Sequence, residues 1–202
     1  MTISAGPSAP LGVILAGGLS SRMGGGDKGL MPLGPGTVLS AVIDRIMPQV
    51  AGLAINANGD PARFAGFGLP VLPDPLPGFP GPLAGVLAAL DWALVQGAGA
   101  VVTVASDTPF LPCDLVPRLL WGADGGAPVV IAATGDRLHP TCALWSVTLR
   151  DDLAATLARG GRKVRDFTDR HGAAVVRFSP GPPDPFFNIN TPADLAMAER
   201  WL

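Results

Sequence analysis

Leu11-Gly12-Val13-Ile14-Leu15-Ala16-Gly17-Gly18-Leu19-Ser20-Ser21-Arg22-Met23-Gly24-Gly25-Gly26-Asp27-Lys28-Gly29 decides how this chain is read. Leu11 to Ala16 is a short apolar run with the look of a buried strand. It breaks into a loop with six glycines among the thirteen positions 17–29. A strand that ends in glycines lets backbone N–H groups approach phosphate oxygens closely. Arg22 and Lys28 add cations there, and Lys28 is one of only two lysines in the chain. A solvated surface loop would show the glycines, but the preceding strand and the paired cations favour phosphate binding. Two familiar fingerprints do not fit. Gly29 follows Lys28 where a P-loop needs a hydroxyl, and no clean G-x-G-x-x-G with a later acidic residue is present.

Outward from this loop, apolar runs alternate with helical periods. Val38, Leu39, Val42, Ile43, Ile46 and Met47 share one helix face, and Leu83, Val86, Leu87, Leu90 and Leu94 mark a second. Strands are expected over 53–56, 69–72, 100–105, 129–133, 141–145 and 174–178, and helices over 115–120, 147–158, 162–170 and 192–202. Thr191 is the expected N-cap of the last helix, with Pro192 at its first position and Asp194 at N3. The alternation predicts a single three-layer α/β/α domain over 11–202, with a Rossmann-like, mainly parallel sheet, after a polar lead-in over 1–10. In such sheets ligands bind beyond the carboxyl ends of the strands, here after Ala16, Asn56 and Ala105.

Composition narrows the classes. Hydrophobic residues are 48% and charged residues 15%, which excludes a disordered chain. A net charge of −2 gives no field to gather nucleic acid or an anionic membrane. No apolar run approaches the ~20 residues of a membrane span. The first ten residues lack the basic and apolar regions of a secretory signal. Cys113 and Cys142 are the only cysteines, too few for a disulfide framework or a Cys-rich zinc site. The expected location is the reducing cytoplasm.

Several polar residues stand where chemistry is expected. Asp107 follows the run Val101 to Ala105; it suits Mg²⁺ beside a polyphosphate loop, or caps a turn before Pro109. Asp74, in a Pro-rich loop, reads by composition as an ordinary turn residue. Asn188 and Asn190 lie at i and i+2 in an extended stretch, so both amides point to one side, toward one ligand or toward local backbone. Gly78, Gly81 and Gly85 shape the start of the second helix. Arg162, Lys163 and Arg165 form a basic cluster, read as a solvated face or a contact for an anionic substrate. His139 is expected to organise a turn before Pro140, and the two cysteines to be small core or rim residues.

The segment L-A-G-G-x-S-x-R-M-G-G-x-D-K resembles the signature of the molybdenum cofactor guanylyltransferases, nucleotidyltransferases with a nucleotide-diphospho-sugar transferase type of fold. The resemblance continues through Ile55-Asn56-Ala57-Asn58, Asp74 to Gly85, Ser106-Asp107-Thr108-Pro109, His139-Pro140-Thr141 and Asn188-Ile189-Asn190-Thr191-Pro192. It implies that Leu15, Ala16, Gly17, Gly18, Lys28, Asn56, Asp74 and Asp107 bind GTP, and that Arg22, Lys28 and Asp107 are catalytic. Asp107 is implied as the Mg²⁺ ligand. Gly25, Gly81, Gly85, Asn188 and Asn190 are implied at the pterin end of the cleft. A carboxylate at Asp74 suits either the guanine edge or the ribose hydroxyls.

The implied reaction transfers GMP from GTP to molybdenum-bound molybdopterin, with pyrophosphate as the other product. A molybdoenzyme or its chaperone is implied as the receiver. Asparagines rather than aspartates at 188 and 190, and Leu-Ala-Gly-Gly rather than Leu-Ala-Ala-Gly, favour the guanylyl branch. The alternatives are a cytidylyltransferase or sugar-phosphate nucleotidyltransferase, a nucleotide-binding regulator without turnover, and, more distantly, a redox NAD protein.

Overall fold

The computed structural model describes residues 9–17, 27–76 and 81–202. In chain order it contains β1 (Leu11–Leu15), a ribbon of β2 (Pro32–Leu33) and β3 (Gly36–Thr37), α1 (Val38–Ile46), β4 (Gly52–Asn56), β5 (Val71–Leu72), α2 (Pro82–Val95) and β6 (Ala100–Ala105). There follow α3 (Leu115–Gly122), β7 (Val129–Thr134), β8 (Arg137–Ser146), α4 (Arg150–Ala158), α5 (Val164–Arg170), β9 (Ala174–Phe178) and α6 (Pro192–Glu199). The seven-stranded sheet has the order β5-β4-β1-β6-β8-β7-β9. All neighbours run parallel except β8, which is antiparallel to both β6 and β7.

The three expected layers follow from the alternation of side chains along each strand. Ile14, Ile55, Val102, Val130 and Leu144 face α1 and α3. Their neighbours Val13, Ala54, Val101, Ile131, Ala143 and Trp145 face α2, α4 and α5. Both faces are covered, which is why the strands read as continuous apolar runs. A third apolar cluster joins Leu33, Val38, Phe110, Ile189 and Ala198, with Met31, Phe187, Leu195 and Trp201 packed against it. It ties the β2–β3 ribbon and α6 to the rest of the molecule. Inside the sheet, the Trp145 indole N–H donates to Thr103 Oγ1, whose hydroxyl donates to the Thr141 carbonyl.

Most expected elements are present, and the differences have local causes. The strand expected at 141–145 begins at Arg137, because Gly135 at φ 53° and Asp136 close a two-residue hairpin with β7. Pro140 is tolerated in it because the register jumps between Ile131 and Ala132, leaving 140–142 unpaired with β7. His139 therefore lies on a strand rather than in a turn. It is buried, bonded to Thr134 Oγ1 at 2.7 Å and stacked on Phe186. Burial, aided by the Arg137 charge, lowers its pKa to about 4. The ribbon β2–β3 was not expected. It feeds the capping box of α1, in which Thr37 and Ser40 bond reciprocally. The box expected for α6, with Thr191, Pro192 and Asp194, is present. α6 ends at Glu199 rather than continuing to 202.

The outer strand β9 has Arg118 of α3 laid over its end. The guanidinium sits 4.0 Å from the Phe178 ring centroid and donates to the Arg177 carbonyl. Of the lead-in expected over 1–10, residues 1–8 lie outside the described residues. Pro10 is buried, and its carbonyl accepts from Ala51 N. No helix among the described residues is long and apolar enough to cross a membrane.

Candidate nucleotide site

The parallel strands β1, β4 and β6 end side by side, since Leu15 pairs with Asn56 on one side and Ala105 on the other. Their carboxyl ends open into a cleft of about 250 Å³ lined by Leu15, Ala16, Gly17, Lys28, Asn56, Asp74, Gly81, Asp107 and Asn188, together with Asp27, Phe64, Ser106 and Thr141. The strand register thus brings together residues separated by more than a hundred positions in the chain. Gly18, Arg22, Gly25 and Gly78 lie outside the described residues.

At one end of the cleft the Asp74 carboxylate is enclosed by amides. Its Oδ1 accepts from Asn56 Nδ2 at 2.9 Å and its Oδ2 from Asn58 Nδ2 at 2.7 Å, while Asp74 N donates to Asn58 Oδ1. Asn56 Nδ2 also donates to the Leu72 carbonyl at 3.0 Å. Two acceptors on one nitrogen fix which way this amide points. Its Oδ1 is left facing Gly17 and Gly85. A Cβ at Gly85 would stand 2.3 Å from that oxygen and 2.9 Å from Leu15 Cδ2. Gly85 is thus buried beneath the cleft, where the position is empty so that α2 can approach β1 and β4. Gly81, at φ 84°, caps α2 and does line the cleft.

At the other end stand Lys28 and Asp107. Asp107 Oδ1 accepts from Asn188 Nδ2 at 2.9 Å and from Thr108 Oγ1 at 3.4 Å. Its Oδ2 accepts from no other residue among those described. Burial pushes the carboxyl above the usual carboxylate range, against the pull of the Asn188 hydrogen bond and the nearby Lys28 ammonium. Lys28 Nζ donates to Asn190 Oδ1 at 2.7 Å. The two asparagines do share a side, as their spacing requires, but each holds one of the two charged groups rather than local backbone.

No motif marks Arg63 in the sequence. It lies in a 3-10 segment (Pro61–Phe67), donates to the Asp27 carboxylate and to the Asn58 and Asp60 carbonyls, and rests on the Phe64 ring. It fastens the residue before Lys28 to the loop that carries Asn58. A lone arginine after Asp60-Pro61 carries no motif, so only the fold reveals it. The basic cluster is largely engaged. Arg162 donates to the Leu157 and Gly161 carbonyls, and Arg165 faces Asp169 at 3.5 Å. Cys142 is buried and Cys113 exposed.

A lysine and a buried carboxylate beyond the carboxyl ends of parallel strands, on a mainly parallel three-layer sheet, are the setting of a nucleotidyltransferase. The chain belongs to the MobA-like NTP transferase domain family, which matches residues 12–175. It is 54% identical over 198 residues to a molybdenum cofactor guanylyltransferase of Rhodopseudomonas palustris, covering 96% of this chain and 94% of that protein. It is 53% identical to one of Mesorhizobium japonicum, covering 95% of each. Among solved structures it is similar to molybdopterin-guanine dinucleotide biosynthesis protein A of Archaeoglobus fulgidus. That match has a TM-score of 0.73 and 25% identity, and it covers 94% of this chain and 97% of the other.

Proposed function

We propose that this chain transfers GMP from GTP to molybdenum-bound molybdopterin, forming the guanine dinucleotide cofactor and releasing pyrophosphate. The observation that carries the reading is the polarity of the cleft. One end offers a lysine and a buried carboxylate held by Asn188, and the other offers amide-held oxygens of the kind that accept from a base or ribose. The names of relatives sharing about half of the sequence support guanine and the pterin as the particular partners.

The attacking group is a phosphate already ionised at neutral pH, so no side chain has to remove a proton. Catalysis then rests on alignment and charge. The amides at Gly17 and Gly18, with Arg22 and Lys28, hold the triphosphate. Asn56 and Asp74 receive the guanosine end. Gly25, Gly81, Asn188 and Asn190 are assigned to the pterin acceptor. The donor chemistry at Asp107 fits Mg²⁺. Among the described residues no other residue donates to Asp107 Oδ2, a hard oxygen of the kind Mg²⁺ takes. When bound there, the ion offsets negative charge on the phosphates. The whole of 11–202 is one catalytic unit in this reading, acting in the cytoplasm and handing its product to a molybdoenzyme or its chaperone.

The test is a pyrophosphate-release assay with molybdenum-loaded molybdopterin and GTP, CTP or ATP in turn. Release with GTP at least about tenfold faster than with the others is expected, since a mismatched base leaves buried polar groups unpaired. Equal rates with CTP would overturn the guanylyl assignment.

A further inference from the structure

The third apolar cluster is small, yet its members lie close in the chain to Lys28, Asp107, Asn188 and Asn190. Met31 follows Lys28 by one turn, Phe110 follows Asp107 at the same spacing, and Ile189 separates Asn188 from Asn190. Ile189 is wholly buried, and its N–H donates to the Asp107 carbonyl at 2.9 Å. The extended stretch 186–190 thus alternates. Phe186 stacks on His139 and meets Phe178 edge-on, Asn188 and Asn190 reach Asp107 and Lys28, and Phe187 and Ile189 turn into the cluster.

α6 carries the fastening at both of its ends. At its start, Asn190 N donates to Asp194 Oδ2 at 3.0 Å, which makes Asn190 part of the helix cap. Just past its end, the Trp201 ring meets Phe110 edge-on at 5.6 Å and Phe187 edge-on at 5.0 Å. One indole therefore bridges the segment that follows Asp107 and the segment that carries the asparagines. Trp201 N donates to the Ala198 carbonyl at 3.0 Å, which fixes the residue to the end of α6.

We propose that Trp201 is a positioning residue for triphosphate binding: through Phe110, Phe187 and α6 it holds Asn188 against Asp107 and Asn190 against Lys28. The proposal rests on the reading of Lys28 and Asp107 as the triphosphate-handling pair. It does not depend on which base is used or on the pterin. Side chains set a fraction of an ångström out of place are enough to lose binding and rate.

The test is a double-mutant cycle on Mg²⁺–nucleoside triphosphate affinity by calorimetry, using whichever of GTP, CTP or ATP the parent protein binds most tightly. Trp201→Ala is expected to weaken binding about tenfold, and Trp201→Phe to stay near the parent. Asn188→Ala with Asn190→Ala should weaken binding by themselves, and adding Trp201→Ala to that pair should cause little further loss. Trp201→Leu, which keeps apolar volume but not the edge contacts, gives the same reading if the alanine variant folds poorly. Leu153→Ala, in the core layer beneath α4, is the control that costs stability without touching the cluster. Parent-like affinity in Trp201→Ala and Trp201→Leu, additive losses in the cycle, or an equal loss in Leu153→Ala would each overturn the proposal. Failure of the guanylyl reading would appear separately, as CTP or ATP being the preferred nucleotide of the parent.

Discussion

Asp74 and Asp107 stand at opposite ends of one cleft and are held in opposite ways. Both oxygens of Asp74 are taken by asparagine amides from the same half of the sheet. Asp107 has one oxygen held by an asparagine 81 residues later and the other free of side-chain partners among the described residues. A carboxylate with one protein donor on each oxygen is fixed in place, and its remaining lone pairs stay open to a base or ribose. One left half-satisfied in a buried place is uncomfortable alone and suited to a cation. The contrast predicts that removing charge at the two positions has different consequences.

The largest expected effect is at Asp107. Asp107→Asn should lower Mg²⁺-dependent turnover by roughly a hundredfold or more. Its pKa is raised in the folded state, so the ionised group costs stability at neutral pH, and metal-free melting temperature should not fall. Normal turnover across a Mg²⁺ titration would remove Asp107 from the metal site. Lys28→Ala should follow, with a drop of about a hundredfold in turnover and little change in melting. An unchanged rate would make Lys28 a solvated loop charge.

Asp74→Asn sharpens the comparison. It sets an amide N–H₂ group against the donors of Asn56 and Asn58, so this variant should melt earlier than the parent. It should also lose about tenfold of its preference for GTP over CTP in competition binding. A variant that melts and discriminates like the parent would erase the distinction between the two ends. The smallest effect concerns the strap that carries Asn188. His139 is held neutral by burial, with a folded pKa of about 4 against an ordinary 6.5. Its contribution is intact above the ordinary value and is lost as pH falls from 6.5 toward 4, because the unfolded chain takes up the proton first. His139→Gln should flatten that acid limb of the melting curve. A limb of unchanged steepness would assign the loss to other groups.

The half of the molecule that includes Asp74 was the more legible in sequence. β1, β4 and β6 are buried on both faces, so each announces itself as an apolar run. Gly17 opens the glycine-rich segment just past the end of β1. The antiparallel side was harder to read. Pro140 disguised the first residues of β8, because its compatibility with a strand depends on a local jump in pairing. Arg63 and Asn58 carry no spacing that distinguishes them from loop residues, and their roles appear only when Asp27 and Asp74 arrive from elsewhere. Asn188 and Asn190 were legible as a pair facing one way. Their partners, Asp107 and Lys28, depend on how α6 packs, which no local pattern encodes.

The two rims of the sheet bear on how folded copies of the chain behave toward one another. β5 is two residues long, too short to template pairing with another chain. β9 has five residues, and the side chain of Arg118 occupies one of its carbonyls and lies on its terminal ring. A cation resting on an outer strand opposes edge-to-edge pairing. Arg118→Ala should leave catalysis intact and lower the concentration at which the protein clouds on warming, a property read by light scattering rather than by any assay of the cleft.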